Sequence, residues 1–198
     1  MRLLAIDTAT PRPSLAVVID DEAPRTVELP RLGAEALAPA VAALLSSMGL
    51  APADLDRIAV VSGPGSFTGL RSSLAFARGL ARAVHAVLVP IPTFEAACEA
   101  IPVPPDADFL LEALRGEVHR RRRRSGALLP VEERLPRETA AIEADRDRVP
   151  LIDIGSAALL LAPSAASLAR HAPEGESGSL VYGRLPAAIE RFGPGETG

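Results

Sequence analysis

Ser62-Gly63-Pro64-Gly65-Ser66-Phe67-Thr68-Gly69-Leu70-Arg71 follows a short apolar run at 58–61 and opens a helical stretch that continues to about Val84. Glycines at 63, 65 and 69 let the backbone take tight or left-handed conformations. The hydroxyl of Ser66 or Thr68 is placed to cap the helix. A helix that opens from such a loop presents free amides and the positive end of its dipole, a geometry that receives anions. The same glycines would also serve a strand-to-helix turn whose only need is close packing, and a lone glycine-rich loop favours that plainer reading.

Outward from the loop, Leu70, Leu74, Ala77, Ala81 and Val84 fall on one helical face, and Arg71, Arg78 and Arg82 on another. Upstream, Leu37, Val41, Leu44 and Met48 recur at helical spacing within 33–48, and Gly49 supplies the stop. Pro39 is tolerated only in a first turn, so this helix begins near residue 38 or carries a kink. Apolar runs at 2–7, 14–20 and 25–29 are separated by turn residues and read as an antiparallel meander. A strand at 87–91 and a short helix at 93–100 complete the half. Three strands, helix, strand, helix, strand is the order of a ribonuclease-H-like half of an actin-type fold. The proline-dense stretch 101–106 reads as a linker. Beyond it, runs at 107–114, 117–124 and 127–135, with turns at Arg115-Gly116 and Ser125-Gly126, form a second meander, followed by a helix at 138–144 and a strand at 149–154. The expected architecture is therefore α/β, an actin-like ATPase (ribonuclease-H-like) fold of two tandem lobes, 1–100 and 101–198, the second shortened and ending in a polar tail at 193–198.

The 198 residues are 48% hydrophobic and 23% charged, values of a folded globular protein. All 21 basic residues are arginine, against 25 acids, for a net charge of −4. That balance excludes nucleic-acid binding through overall charge. The absence of lysine excludes a Walker-A loop, a Schiff-base lysine and a Ser-Lys nucleophile pair. The single Cys98, and histidines at 85, 119 and 171 without ligand spacing, argue against a metal site. An acid at Asp7 comes too early for a signal-peptide core, and no run of about 18 apolar residues follows, so the expected location is cytoplasmic and off the membrane.

The loop quoted above, with Ala77-Arg78-Gly79-Leu80-Ala81 after it, closely resembles the signature of the bacterial TsaB (YeaZ) family of tRNA threonylcarbamoyladenosine biosynthesis. Leu4-Ala5-Ile6-Asp7-Thr8-Ala9-Thr10 and Pro92-Thr93-Phe94-Glu95-Ala96 support it, as do Arg115-Gly116-Glu117-Val118 and Val181-Tyr182-Gly183-Arg184. The resemblance is concentrated in roughly the first hundred residues. It implies a non-catalytic subunit that binds and activates a metal-bearing TsaD-type paralogue, with a TsaE-type ATPase joining. The paralogue's His-x-x-x-His motif is missing from this chain. It further implies no cofactor of its own, ATP or ADP held at the interface with the catalytic partner, and an interface built from the first two helices that also serves homodimers. Leu37, Val41, Leu44, Leu74, Ala77 and Ala81 are the candidate interface residues, a role that stands level with packing inside the lobe, and Ala77→Arg or Leu44→Asp is expected to disturb association more than fold.

Asp7-Thr8-Ala9-Thr10 stands where actin-like kinases carry an Asp-x-Gly-Thr phosphate turn. Ala9 replaces the glycine that admits a phosphate, so Asp7 reads as structural. Asp7, Thr8, Ser66, Thr68 and Gly69 remain the candidate anion or nucleotide contacts, for which an actin-like ATP-binding phosphotransferase or ATPase is the alternative function. A peptidase lacks a nucleophile with a recognisable base, since Cys98 lies in an apolar helix and Ser66 far from any histidine. A two-metal nuclease needs more carboxylates than Asp7. The family's histidine at the start of its first helix is replaced by Ala34-Glu35-Ala36-Leu37, and its Ile-Asp-Ala-Arg pattern by Leu111-Glu112-Ala113-Leu114-Arg115. His119 and the arginines at 120–124 lie on a strand, so their side chains alternate between faces. They pair with Glu112, Glu132 or Glu133, or face water. Contact with tRNA phosphates competes with a solvated edge strand that resists aggregation, and the scarcity of aromatics for base stacking favours the edge strand.

Overall fold

In a computed structural model, residues 1–30 and 36–154 are described. The sequence readings at 31–35, at Gly155 and His171, at 181–184 and along the tail lie outside them.

The first lobe is one five-stranded sheet in the order β3-β2-β1-β4-β5. Its strands are β1 (Arg2–Asp7), β2 (Ser14–Ile19), β3 (Arg25–Glu28), β4 (Arg57–Gly63) and β5 (Val87–Pro92). The first three pair antiparallel; β4 joins β1, and β5 joins β4, in parallel. This is the expected ribonuclease-H-like order. Period-two alternation gives the sheet two apolar faces. Leu4, Ile6, Leu15, Val17, Ile58 and Val60 meet helices α1 (Leu37–Ser47) and α2 (Phe67–Val84). On the other face Leu3, Ala5, Ala16, Val18, Ala59 and Val61 meet α3 (Thr93–Ala100). Helix α1 starts at Leu37, which leaves Pro39 in the first turn where its missing amide costs no hydrogen bond.

The second sheet runs β8-β7-β6-β9 and comprises β6 (Ala107–Glu112), β7 (Glu117–Arg124), β8 (Ala127–Pro136) and β9 (Leu151–Asp153). Helix α4 (Arg137–Asp147) covers one face. Phe109 and Leu111 on the other face join the apolar cluster of the first sheet, so the core runs from one lobe into the next without a break.

One reading needs correction here. The arginine-bearing β7 is an interior strand between β8 and β6, not an edge. Among the described strands β8 is an edge, and a register irregularity opposite Arg121 and Arg123, with Pro130 in that stretch, interrupts its pairing with β7.

Candidate functional site

The loop between β4 and α2 lies directly on the turn that follows β1. The Ser66 amide donates to the Ala9 carbonyl at 2.8 Å, and the Thr8 hydroxyl donates to the Gly69 carbonyl, also at 2.8 Å. A Cβ at Gly69 would lie 2.0 Å from the Thr8 oxygen, and one at Gly65 would lie 2.5 Å from the Ala9 oxygen. These two glycines are required because backbone packs on backbone, which is the plainer of the two readings of the loop. Ser66 caps α2, its Oγ accepting from the Gly69 amide at 3.3 Å.

Asp7 is fully buried. Its Oδ1 accepts from the amides of Ala9 and Thr10 at 2.9 and 3.3 Å, and its Oδ2 from the Thr10 hydroxyl at 3.0 Å. Burial raises its pKa to about 6 against the partial opposition of those bonds. The carboxylate thus folds its own turn.

A cleft of about 420 Å³ opens beside this cradle and reaches the second lobe. Thr8, Thr10, Ser66, Thr68 and Ser72 bring hydroxyls to it, Leu29, Leu37 and Leu111 bring apolar surface, and Glu112 brings a carboxylate. Of the five candidate contacts, Thr8, Ser66, Thr68 and Gly69 line the cleft and Asp7 does not. Glu112 is held by Arg137, whose Nη2 donates to it at 2.8 Å and to Asp153 at 2.8 Å. No basic side chain faces the space among the described lining residues, so a bound polyphosphate would meet hydroxyls and a carboxylate. Among the described residues no group of three or more His, Cys, Asp or Glu could hold a metal ion. Nor is any described helix long and apolar enough to cross a membrane.

The six interface candidates require correction. Leu37, Val41, Leu44, Leu74, Ala77 and Ala81 are each at most 6% exposed and belong to the cluster between the helices and the sheet. Their helical spacing marks the inner face. The outward faces carry Ala38, Pro39, Ala42 and Ala43 on α1, and Arg71, Ala75, Arg78, Gly79 and Arg82 on α2.

The arginines of β7 are engaged within the chain. Arg120 is 1% exposed and donates to Glu133 and Glu143, while Arg122 shares Glu143 and Arg124 bonds buried Asp108. On the opposite face Arg121 meets Glu95 and the Leu129 carbonyl, and Arg123 reaches the carbonyls of Gly126, Val103 and Pro104. His119 Nδ1 lies 3.0 Å from Glu132. Of the expected guanidinium partners Glu133 is engaged by Arg120 and Arg122, whereas Glu132 meets the His119 ring and Glu112 pairs with Arg137. Glu95, Asp108 and Glu143 were not foreseen as partners. Period-two alternation identifies which arginines share a face, but nothing local in the sequence identifies a carboxylate on a distant helix.

Comparison with known proteins agrees with this architecture. A family model described as TsaD, tRNA N6-adenosine threonylcarbamoyltransferase, matches residues 29–120. The tRNA threonylcarbamoyladenosine biosynthesis protein TsaB of Escherichia coli is 37% identical over 94 residues, 47% of this chain and 41% of that protein. The TsaB protein of Haemophilus influenzae is 34% identical over 101 residues, 50% of this chain and 43% of its own. The chain spans about two-fifths of the length of the curated relatives it matches. A crystal structure of YeaZ from Pseudomonas aeruginosa superposes with a TM-score of 0.66 at 26% identity, covering 85% of this chain and 90% of that one. A second structure, an uncharacterized protein with similarity to peptidase YEAZ from the same organism, superposes with a TM-score of 0.70 at 26% identity over 92% and 99% of the two chains. Signature loop, strand order and superposition agree: the chain is similar to TsaB proteins over about a hundred residues and superposes on YeaZ structures along most of its length.

Proposed function

We propose that this protein is a non-catalytic accessory subunit in tRNA threonylcarbamoyladenosine biosynthesis. It binds and activates a TsaD-type catalytic subunit through the outward faces of α1 and α2, a TsaE-type ATPase joins the assembly, and any ATP or ADP sits at the interface with the catalytic partner. The observation that carries this reading is the state of the cradle. Where a phosphotransferase of this fold would aim a carboxylate at a nucleotide, Asp7 is buried and bonded to its own turn, and Ala9 fills the space a phosphate would enter. The outward surface of the two helices is small-residued and uncharged along α1, which lets another helix approach closely. Engagement of each β7 arginine inside the chain favours a role through protein contacts over one through tRNA phosphates. Mass spectrometry of tRNA nucleosides from cells depleted of this protein tests the reading. Threonylcarbamoyladenosine should fall and return with the wild-type chain; an unchanged level overturns the assignment.

A further inference from the structure

Six residues, Ile101-Pro102-Val103-Pro104-Pro105-Asp106, carry the chain from α3 into β6 and so join the two lobes. A loop of a few residues between lobes is the ordinary hinge of a closing cleft, because its φ and ψ absorb the rotation. Here that freedom is restricted from within. Prolines at 102, 104 and 105 fix φ and hold the residue before each in extended backbone. Ile101, at φ −101° and ψ 117°, conforms. Ile101 and Val103 pack on the apolar cluster that the lobes share, while the prolines stay exposed.

The hairpin of β7 and β8 then clamps this strap from outside. Arg123 stands opposite Ala107 in the register of β6 and β7, beside the end of the strap. Its Nη1 donates to the carbonyls of Val103 and Pro104 at 3.2 and 3.3 Å, and its Nε to the Gly126 carbonyl at 3.1 Å, so one guanidinium ties the strap to the hairpin turn. The turn adds its own backbone: the Gly126 amide donates to the Pro105 carbonyl at 2.9 Å, and the Ser125 amide to Asp106 Oδ1 at 2.6 Å. Two residues back on the same strand face, Arg121 reaches the first lobe itself. Its Nη2 lies 3.5 Å from Glu95 Oε1 of α3, and its Nε donates to the Leu129 carbonyl of β8. Beside these polar ties, Phe94 and Ala97 of α3 and Phe109 and Leu111 of β6 belong to one buried cluster.

We infer that Arg121 and Arg123, with the turn at 125–126, lock the two lobes at one angle, so that the cleft keeps a constant width instead of closing on a ligand. Strand β6 starts where the strap ends and carries Leu111 and Glu112 to the cleft, opposite Thr8 and Ser66, so whatever fixes the strap fixes that wall. Rotating the lobes would take acceptors from Arg123 and expose buried apolar surface together, which makes opening an all-or-none event. The arginine run of β7 thus divides by face. Residues 120, 122 and 124 pair on the α4 side, and 121 and 123 hold the joint. This inference is independent of the partnership proposed above.

Spin labels on Thr68→Cys and Leu114→Cys, both exposed and on opposite lobes, read the interlobe distance by pulsed electron paramagnetic resonance in the full chain carrying Cys98→Ser. This parent should give one narrow distance distribution. Arg121→Met with Arg123→Met keeps apolar stems and removes the guanidinium donors, and should broaden the distribution about twofold. In the same variant, proteinase K cleavage within 101–107 should accelerate about tenfold, because cleavage follows the population of the open form. Arg146→Met, which removes an exposed guanidinium from α4, should change neither. Where the double variant fails to fold by circular dichroism, Arg123→Met and Glu95→Gln singly should each broaden the distribution by a smaller amount. A broad or two-peaked distribution in the parent overturns the lock whatever the variants do. A folded double variant with parental width and cleavage overturns it equally, and so does broadening of the same size in Arg146→Met.

Discussion

Each sheet of this molecule carries a helical layer, and the two layers are held by different physics. Over the first sheet, α1 and α2 bury Leu37, Val41, Leu44, Leu74, Ala77 and Ala81 against aliphatic strand residues. Over the second, among the described residues, Leu110, Val118 and Ala140 form a small buried apolar cluster with α4, and Arg120, Arg122, Glu133 and Glu143 join in ion pairs beside it. The apolar layer needs no partner atoms and tolerates no charge. The ionic layer is satisfied as a set, because buried Arg120 depends on half-buried Glu133 and Glu143 in place of water.

Placing a charge in the apolar layer tests this contrast hardest. Ala77→Arg and Leu44→Asp should each destabilise by about 5 kcal/mol, read as a lowered urea midpoint. Both sites are almost without solvent contact, so their effect on association comes through loss of the fold. This reverses the order expected from helical spacing alone. A wild-type midpoint for either variant would place these side chains outside the core.

Removing one member of the ionic layer comes next. Arg120→Ala leaves buried Asp108 with Arg124 alone, and Glu133 and Glu143 with Arg122 alone, at about 3 kcal/mol. Replacing the set with apolar residues of similar volume, Arg120→Met with Glu143→Leu and Glu133→Met, should recover most of that loss. If the triple variant is no more stable than Arg120→Ala, the layer is held by more than mutual solvation. Its surrounding geometry would then be the term to measure.

Asp7 places a charge inside the apolar lobe and gives the comparison a pH axis. Its carboxyl has a pKa of about 6 in the folded protein against 3.8 ordinarily, so folding favours the protonated form. The stability from that proton is complete below about pH 4 and is lost as pH rises through 6, up to about 3 kcal/mol. Asp7→Asn, which keeps an acceptor for the Ala9 and Thr10 amides, should therefore gain on wild type between pH 4 and 7 and hold its lead above. A gap that does not change with pH would show that Asp7 carries no buried charge.

What could be read in advance follows the same division. Apolar alternation and helical spacing in the first lobe gave strand ends to within one or two residues, because hydrophobic burial imprints its period on the chain. That period identifies a buried face without saying what covers it, and for this reason Leu37 and its companions read equally as core and as partner surface from sequence, although the sheet covers them. The arginine strand was read as an edge because five charges in a row resemble a solvated surface. Its partners Glu95, Asp108 and Glu143 lie between 12 and 26 residues away, where no local pattern announces them.

The smallest effect separates fold from function most cleanly. Gly79 sits in the interior of α2, exposed, with negative φ and with open space where a Cβ would point. Glycine there forgoes about 1 kcal/mol of helix stability relative to alanine, and no described residue comes close enough to require it. Gly79→Ala should therefore raise the urea midpoint slightly. If the outward face of α2 receives another helix, the added methyl also holds that helix away, and binding to the TsaD-type subunit should weaken by severalfold while stability rises. The opposite signs of the two changes make this variant decisive. A general loosening of the fold lowers both, and a surface without a partner shows the gain in stability alone.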